Sequence, residues 1–319
     1  GVLKALEELG VKIDYIAGTS MGAIVGGFYA TGYSAAQIEH IMLEMNWEAA
    51  FSDQPQRQDQ SMRKKELEND FLIPFRLGFN KGSLQLPLGL VEGQHLDQIF
   101  QRILLPAEGI TDFDRLHIPF RAVATDLVTG KAVVMSRGSL SGALRASMSV
   151  PGVFAPVRMN DRLLVDGGMA NNLPVNVARE MGADIIIAVD ISSPLLDEKQ
   201  LKSVLNVTEQ LTNFLTRNNT DVQIASLAQG DILLVPELEG FSSANFEAAS
   251  KLVDIGYQAV MIHEQQLAML SSSLTQPESL SAEDASADRF IVNFIELNNR
   301  SVLADEIIQS RIKVPLGQP

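Results

Sequence analysis

The sequence predicts an α/β sandwich built on a largely parallel sheet, and three stretches carry that expectation. From Val2 to Met45 the apolar periodicities run helix, strand, helix, helix. Within that span, Ile13–Gly27 reads as a short apolar strand, an abrupt Gly18-Thr19-Ser20-Met21-Gly22 turn, and a helix rich in small residues. Far downstream, Asp184-Ile-Ile-Ile-Ala-Val-Asp190 is a continuous apolar run, as expected of a parallel strand buried on both faces.

The first helix carries Val2, Leu3, Leu6 and Leu9 on one face and stops at Gly10. After the turn at Ser20 the second helix reaches about Ala30 and ends at Gly32, and Ser34 caps a third over Ala35–Met45. Ser52 to Asn69 is polar and charged, a surface loop or exposed helix. Phe71 to Leu90 alternates Phe and Leu with Gly and Pro, which fits either a buried hairpin or a mobile apolar flap over a site for lipid. A helix follows from Gln94 to Leu104. Ile118–Thr125 and Lys131–Ser136 read as strands joined at Thr129-Gly130, and Ser139 starts another helix. Ser147–Pro156 is a loop stiffened by its prolines, and Arg162–Asp166 is a strand running into Gly167-Gly168. Beyond a helix at Pro174–Gly182 and the Asp184–Asp190 strand come helices at Glu198–Arg217 and Ala244–Leu270, with a strand at Asp231–Val235 between them.

Composition narrows the function classes. A chain of 319 residues with 46% hydrophobic and 20% charged residues builds a sizeable core, as one large domain or one domain and a module. A net charge of −14 argues against nucleic acid as a partner, since phosphate binding needs a basic face. It also leaves any membrane contact to apolar side chains. With no cysteine there is no disulfide, thiol nucleophile or thiolate metal site. No cluster has metal-ligand spacing, so neither metal nor cofactor is expected. No apolar run is long enough for a membrane-spanning helix, and no secretory leader is present. The chain opens in mid-helix, with neither initiator Met nor cap, as a piece of a longer protein would.

Two residues stand out chemically. A strand-to-helix turn of the Gly-x-Ser-x-Gly kind lifts a serine Oγ clear of the backbone, and side chains at Gly18 or Gly22 are expected to crowd it. The helix N-terminus sets backbone N–H groups, beginning with Met21, beside an oxyanion forming at Ser20. Serine needs a base. His40 sits in a helical stretch beside Ile41 and Met42, and nothing near His95 or His117 aims them at a site. Asp166 differs, because it closes an apolar strand before Gly167-Gly168, where a sheet presents side chains to an active site. A partly desolvated carboxylate within reach of Ser20 serves as a general base directly. A Ser-Asp-His triad is the alternative, for which only His263 follows Asp166 in chain order.

Gly18-Thr-Ser20-Met-Gly22 followed by Asp166-Gly167-Gly168, with the Ser147–Pro156 segment between, resembles the patatin-like phospholipases over residues 1–270. The resemblance implies a three-layer α/β/α sandwich and a lipid acyl hydrolase of phospholipase A or esterase type. Ser20 would be the nucleophile and Asp166 its base, through an acyl-enzyme and without histidine or cofactor. A phospholipid or other acyl-ester lipid would be the substrate, with transient contact to a membrane surface; oligomeric state is left open. The family's glycine-rich oxyanion loop would precede the helix at Gly1, and lacking such donors costs on the order of a hundred- to a thousandfold in rate.

Residues 271–288 have linker composition. Phe290–Asn299 with Leu303–Ile307 resembles the opening of a POTRA domain, so 289–319 is expected to be a truncated POTRA-like module. Joined to a patatin domain, it implies an exported, outer-membrane-associated or secreted protein of a Gram-negative bacterium, with a cytoplasmic protein as the alternative. A non-catalytic exported passenger that binds lipid is the reading from another class.

Overall fold

The computed structural model describes residues 1–52, 78–80, 83–85, 89–192, 204–238, 241 and 248–273. From the N-terminus, helix α1 (Val2–Glu8) leads to strand β1 (Ile16–Thr19) and helices α2 (Met21–Ala30), α3 (Ala35–Glu44) and α4 (Trp47–Ala50). Strands β2 (Gly78–Asn80), β3 (Ser83–Gln85) and β4 (Gly89–Val91) precede α5 (Gln94–Ile103). The middle of the chain holds β5 (Phe120–Asp126), β6 (Ala132–Met135), α6 (Leu140–Ser147), β7 (Gly152–Phe154), β8 (Val157–Met159) and β9 (Arg162–Asp166). Then come α7 (Gly168–Asn171), α8 (Val175–Glu180), β10 (Ile187–Val189) and α9 (Val204–Ala225). Strand β11 (Ile232–Leu234) and helices α10 (Ala249–Met261) and α11 (Glu264–Ser273) follow.

The main sheet has five strands and is mixed, with β5 at its centre. β1 pairs with β5 in parallel, Ile16–Thr19 against Phe120–Val123. β9 pairs with it antiparallel, Asp166–Leu164 against Ala124–Asp126, and β6 pairs antiparallel over Ala122–Thr125. Alternate residues of a strand send their N–H and C=O to opposite edges. The Asp126 N–H turns to Lys131 on the β6 side. The Pro119 carbonyl, which accepts from Ile16, and the Leu127 N–H, which donates to Leu163, point to the other edge. β1 and β9 therefore lie end to end along one edge of β5, and their C-terminal ends meet where Val123 gives way to Ala124.

Helices cover both faces, giving the α/β/α layering. On one face, α2 and α6 close on the sheet because glycines let them. A Cβ on Gly26 would stand 2.8 Å from Ile16 Cγ2, and one on Gly27 2.9 Å from a Leu144 methyl. Phe28, Phe100, Phe113, Phe120 and Phe154 are fully buried in this layer, each contributing about 2–3 kcal/mol of apolar burial. On the other face, the Thr19 hydroxyl donates to the Asn171 carbonyl of α7, and α9 lies over α7.

Smaller ladders flank the sheet: β2–β3 antiparallel, and β4–β7 and β10–β11 parallel. The run Asp184–Asp190 is thus a strand paired with β11 in a separate ladder, not one inside the five-stranded sheet, and Ile185 is exposed. The expected loop at Ser147–Pro156 contains β7, and Ser147 itself ends α6. Among the described residues the long helix after Asp190 covers Val204–Ala225, past the expected end at Arg217, while its expected start at Glu198 falls outside them. The helix expected over Ala244–Leu270 breaks in two at Ile262-His263 while passing through the buried Gly256. Ser34 caps α3 as expected, in a reciprocal capping box with Gln37.

The chain divides into two compact units, Gly1–Leu274 and Thr275–Pro319. Helix α11 takes in Ser271–Ser273, at the start of the stretch read as linker. The rest of that stretch, the POTRA-like segment, Asp53–Asn69 and most of the Phe71–Leu90 hairpin or flap fall outside the described residues, apart from the β2–β3 and β4 backbones.

Candidate active site

The end-to-end junction of β1 and β9 gathers the residues with chemistry to offer. Ser20 follows β1 at φ 54°, ψ −122°, a left-handed conformation unusual for a residue with a side chain. Such strain is what an abrupt strand-to-helix turn imposes on the residue at its apex. Ser20 is the N-cap of α2, yet its hydroxyl makes no capping hydrogen bond. Among the described residues nothing accepts from the N–H of Met21, the first of that helix.

Glycine spacing makes the turn possible, though not at both positions expected. A Cβ on Gly18 would sit 2.5 Å from the Gly22 carbonyl oxygen and 2.7 Å from the Ala23 nitrogen, so the crossing excludes any side chain. A Cβ on Gly22 would meet nothing within 4 Å. The crowding is between Gly18 and the Gly22 backbone, and the Cα of Gly22 faces open space.

Asp166 arrives from the opposite direction. Its carboxyl is buried, with 7% of the residue exposed. Oδ1 accepts the Gly168 N–H at 2.7 Å, whereas Oδ2 is buried with no hydrogen-bond partner. Burial pushes the carboxyl up to about 6, held back by the neighbouring Ser20 hydroxyl and the Gly168 N–H. The Ser20 hydroxyl is thus near enough to act on the carboxyl without closing a well-formed hydrogen bond, as often holds before substrate binds. Gly167 has no room for a Cβ, which would stand 2.2 Å from the Val123 carbonyl oxygen. At Gly168 a Cβ would press on Asp166 Oδ1 at 2.9 Å.

Residues to which sequence reasoning gave no individual role in the site hold this junction together. Ser147 Oγ accepts the Ser20 N–H at 2.9 Å and donates to the Val123 carbonyl at 2.6 Å. The Asp166 N–H reaches the Ser149 carbonyl, and the Gly167 N–H the Ser147 carbonyl. Asn219 of α9 donates to the Gly168 carbonyl and accepts from the Asn172 N–H, both at 2.8 Å. A pair of serines between a helix and a proline was the one available signal for the first group; nothing in the sequence pattern marks Asn219.

Two of the histidines stand elsewhere: the exposed His40 of α3 lies beside Glu44, and His263 lines an open concavity with Met261, Ile262, Glu264 and Met269 at the corner between α10 and α11. Among the described residues no group of acidic and histidine side chains has the geometry to hold a metal ion.

The sequence profile described as "Patatin-like phospholipase" matches residues 1–179. An uncharacterized NTE family protein of Mycobacterium tuberculosis is 33% identical over 199 residues, 62% of this chain and 29% of that protein. Another, of Mycobacterium bovis, is 31% identical over 72% of this chain and 54% of its own length. Mouse patatin-like phospholipase domain-containing protein 6 is 27% identical over 81% of this chain and 19% of its own length. The chain therefore spans between about a fifth and a half of the lengths of these relatives.

Proposed function

Because the chain belongs to the patatin-like phospholipase family, which implies lipid acyl hydrolysis, we propose that it cleaves fatty-acyl esters with Ser20 as nucleophile and Asp166 as base. The observation that carries this reading is the Asp166 carboxyl, buried beside the Ser20 hydroxyl with Oδ2 unpartnered. As Ser20 Oγ attacks the acyl carbonyl, its proton passes to Oδ2 of Asp166. The oxyanion that forms lies at the N-terminus of α2, where the Met21 N–H faces it and the helix dipole favours negative charge. Collapse of the tetrahedral intermediate returns the proton from Asp166 to the leaving alcohol. Asp166 then takes a proton from the water that attacks the acyl-Ser20 carbonyl, and passes it to Ser20 Oγ as the fatty acid departs, which restores both the hydroxyl and the base. A histidine is not needed, since a carboxyl raised to about 6 by burial is basic enough to take the proton near neutrality.

The lipid itself is read from α9. That helix turns polar side chains inward, with Thr220 fully buried and Asn219 bonded to the Asp166-Gly-Gly turn, while Val207, Leu211, Phe214, Leu215 and Val222 are exposed along its outer side. An apolar stripe on a helix fastened to the active-site turn suits contact with an acyl-rich surface. Export toward the outer membrane is also part of the proposal, on the likeness of residues 289–319 alone; cell fractionation tests it.

Labelling the full-length protein with a fluorophosphonate probe tests the chemistry. Reaction at Ser20, abolished in Ser20→Ala and strongly slowed in Asp166→Asn, is the expected outcome. An unlabelled Ser20 in folded protein would favour the non-catalytic passenger.

A further inference from the structure

We infer that Ser147 is a positioning residue of this site: its hydroxyl splices the ends of β1 and β9 and holds the elbow of Ser20 in its reactive conformation. The inference rests on the hydrolase reading above and goes beyond it to a residue outside the Ser-Asp pair. It begins from the topology. Where the C-terminal ends of β1 and β9 meet along the same edge of β5, the carbonyl of Val123 points between them and receives a hydrogen bond from neither strand, being met by the Ser147 hydroxyl at 2.6 Å. Without that hydroxyl the carbonyl would be a buried acceptor cut off from water and left without a partner.

The Ser147 hydroxyl oxygen also accepts the N–H of Ser20, at 2.9 Å. With one proton to give and lone pairs to accept with, the hydroxyl is used in both directions, and Ser147 is fully buried. The strained φ of 54° at Ser20 is therefore held by a side chain that reaches in from the end of α6. Through its backbone the same residue touches the other half of the site, for the Ser147 carbonyl accepts the N–H of Gly167, directly after Asp166. Gly167 in turn lies so close to the Val123 carbonyl that a Cβ would stand 2.2 Å from its oxygen. One residue thus sets nucleophile and base against a common reference, the interrupted edge of β5. Ser147 touches no reacting atom; it acts through the placement of Ser20 and Asp166.

A displacement of about an ångström between reacting groups costs on the order of a hundredfold in rate. Ser147→Ala is accordingly expected to lower kcat about ten- to a hundredfold with KM within about twofold, and to slow fluorophosphonate labelling of Ser20 in parallel. Ser147→Thr, which keeps the hydroxyl, is expected to restore most of the loss. Should Ser147→Ala give no folded protein, Ser147→Cys carries the test, since it keeps the shape while weakening both hydrogen bonds. Wild-type kcat and labelling rate in a folded Ser147→Ala or Ser147→Cys protein would overturn the inference. So would a loss confined to KM, or a folded Ser147→Thr protein as slow as Ser147→Ala. A wild-type protein that never labels at Ser20 is a different result, one that removes the hydrolase reading itself.

Discussion

The N–H of Gly168 donates to Oδ1 of Asp166 at 2.7 Å, and that bond orients the carboxyl so that its other oxygen is the one left without a partner. The turn following the strand therefore decides which oxygen is free to take a proton. Because burial raises this carboxyl to about 6, its ionised form is depleted below that pH. The rate of Ser20 labelling, and of ester hydrolysis, is expected to fall about tenfold per pH unit below that point, following the loss of the base. A limb near the ordinary carboxylate value of about 4 in a folded protein would contradict the assignment.

The same shift has a cost in stability. For an acid whose folded value lies above its unfolded one, the folded state binds the extra proton, and stability is lost as pH rises from the ordinary value of 3.8 through about 6. Asp166→Asn removes that loss. The variant is expected to be inactive and yet more stable than wild type at pH 8, by on the order of 2–3 kcal/mol. The difference should shrink toward pH 4, and thermal melts at the two pH values measure it.

Gly18 and Gly22 share a motif but not a role. Gly18→Ala places a Cβ into the Gly22 backbone and is expected to abolish the elbow, giving unfolded or grossly destabilised protein. Gly22→Ala meets open space and gains helix propensity, so its melting temperature should equal or exceed that of wild type. Equal damage from both substitutions would refute this division.

Asp231 anchors the parallel β10–β11 ladder. It accepts from Arg179 at 2.5 Å, from the Ile186 N–H at 2.8 Å and from the Ala228 N–H at 2.7 Å, with its own side chain only 1% exposed. Asp231→Ala strands these donors at the start of β10 and β11. A loss of about 3 kcal/mol in urea unfolding is expected, with labelling of the remaining folded protein unchanged.

Substitutions on the outward stripe of α9 test lipid contact apart from chemistry. Leu211→Ser with Phe214→Ser is expected to weaken sedimentation with phosphatidylcholine vesicles about tenfold or more, from the apolar area removed. Hydrolysis of a short water-soluble ester should be unaffected. Equal vesicle binding would show that this face does not meet the lipid.

Much of the candidate site's local geometry was legible in the chain itself. The Gly18-Thr-Ser20-Met-Gly22 and Asp166-Gly167-Gly168 turns each combine a strand end with glycines that local backbone geometry demands, and such geometry is written in neighbouring residues. Helix and strand periods likewise located α2, β5, β6 and β9. What the residues could not disclose was that β1 and β9 share one edge of β5, because strand pairing is settled by which partner completes a ladder far away in sequence. From that pairing alone follow the meeting of Ser20 with Asp166 and the carbonyl of Val123 left between the strands. The demand for Ser147 to bridge the gap follows from it too. Local steric rules thus wrote each half of the site into the sequence, and the long-range hydrogen bonding of the sheet decided that the halves belong together.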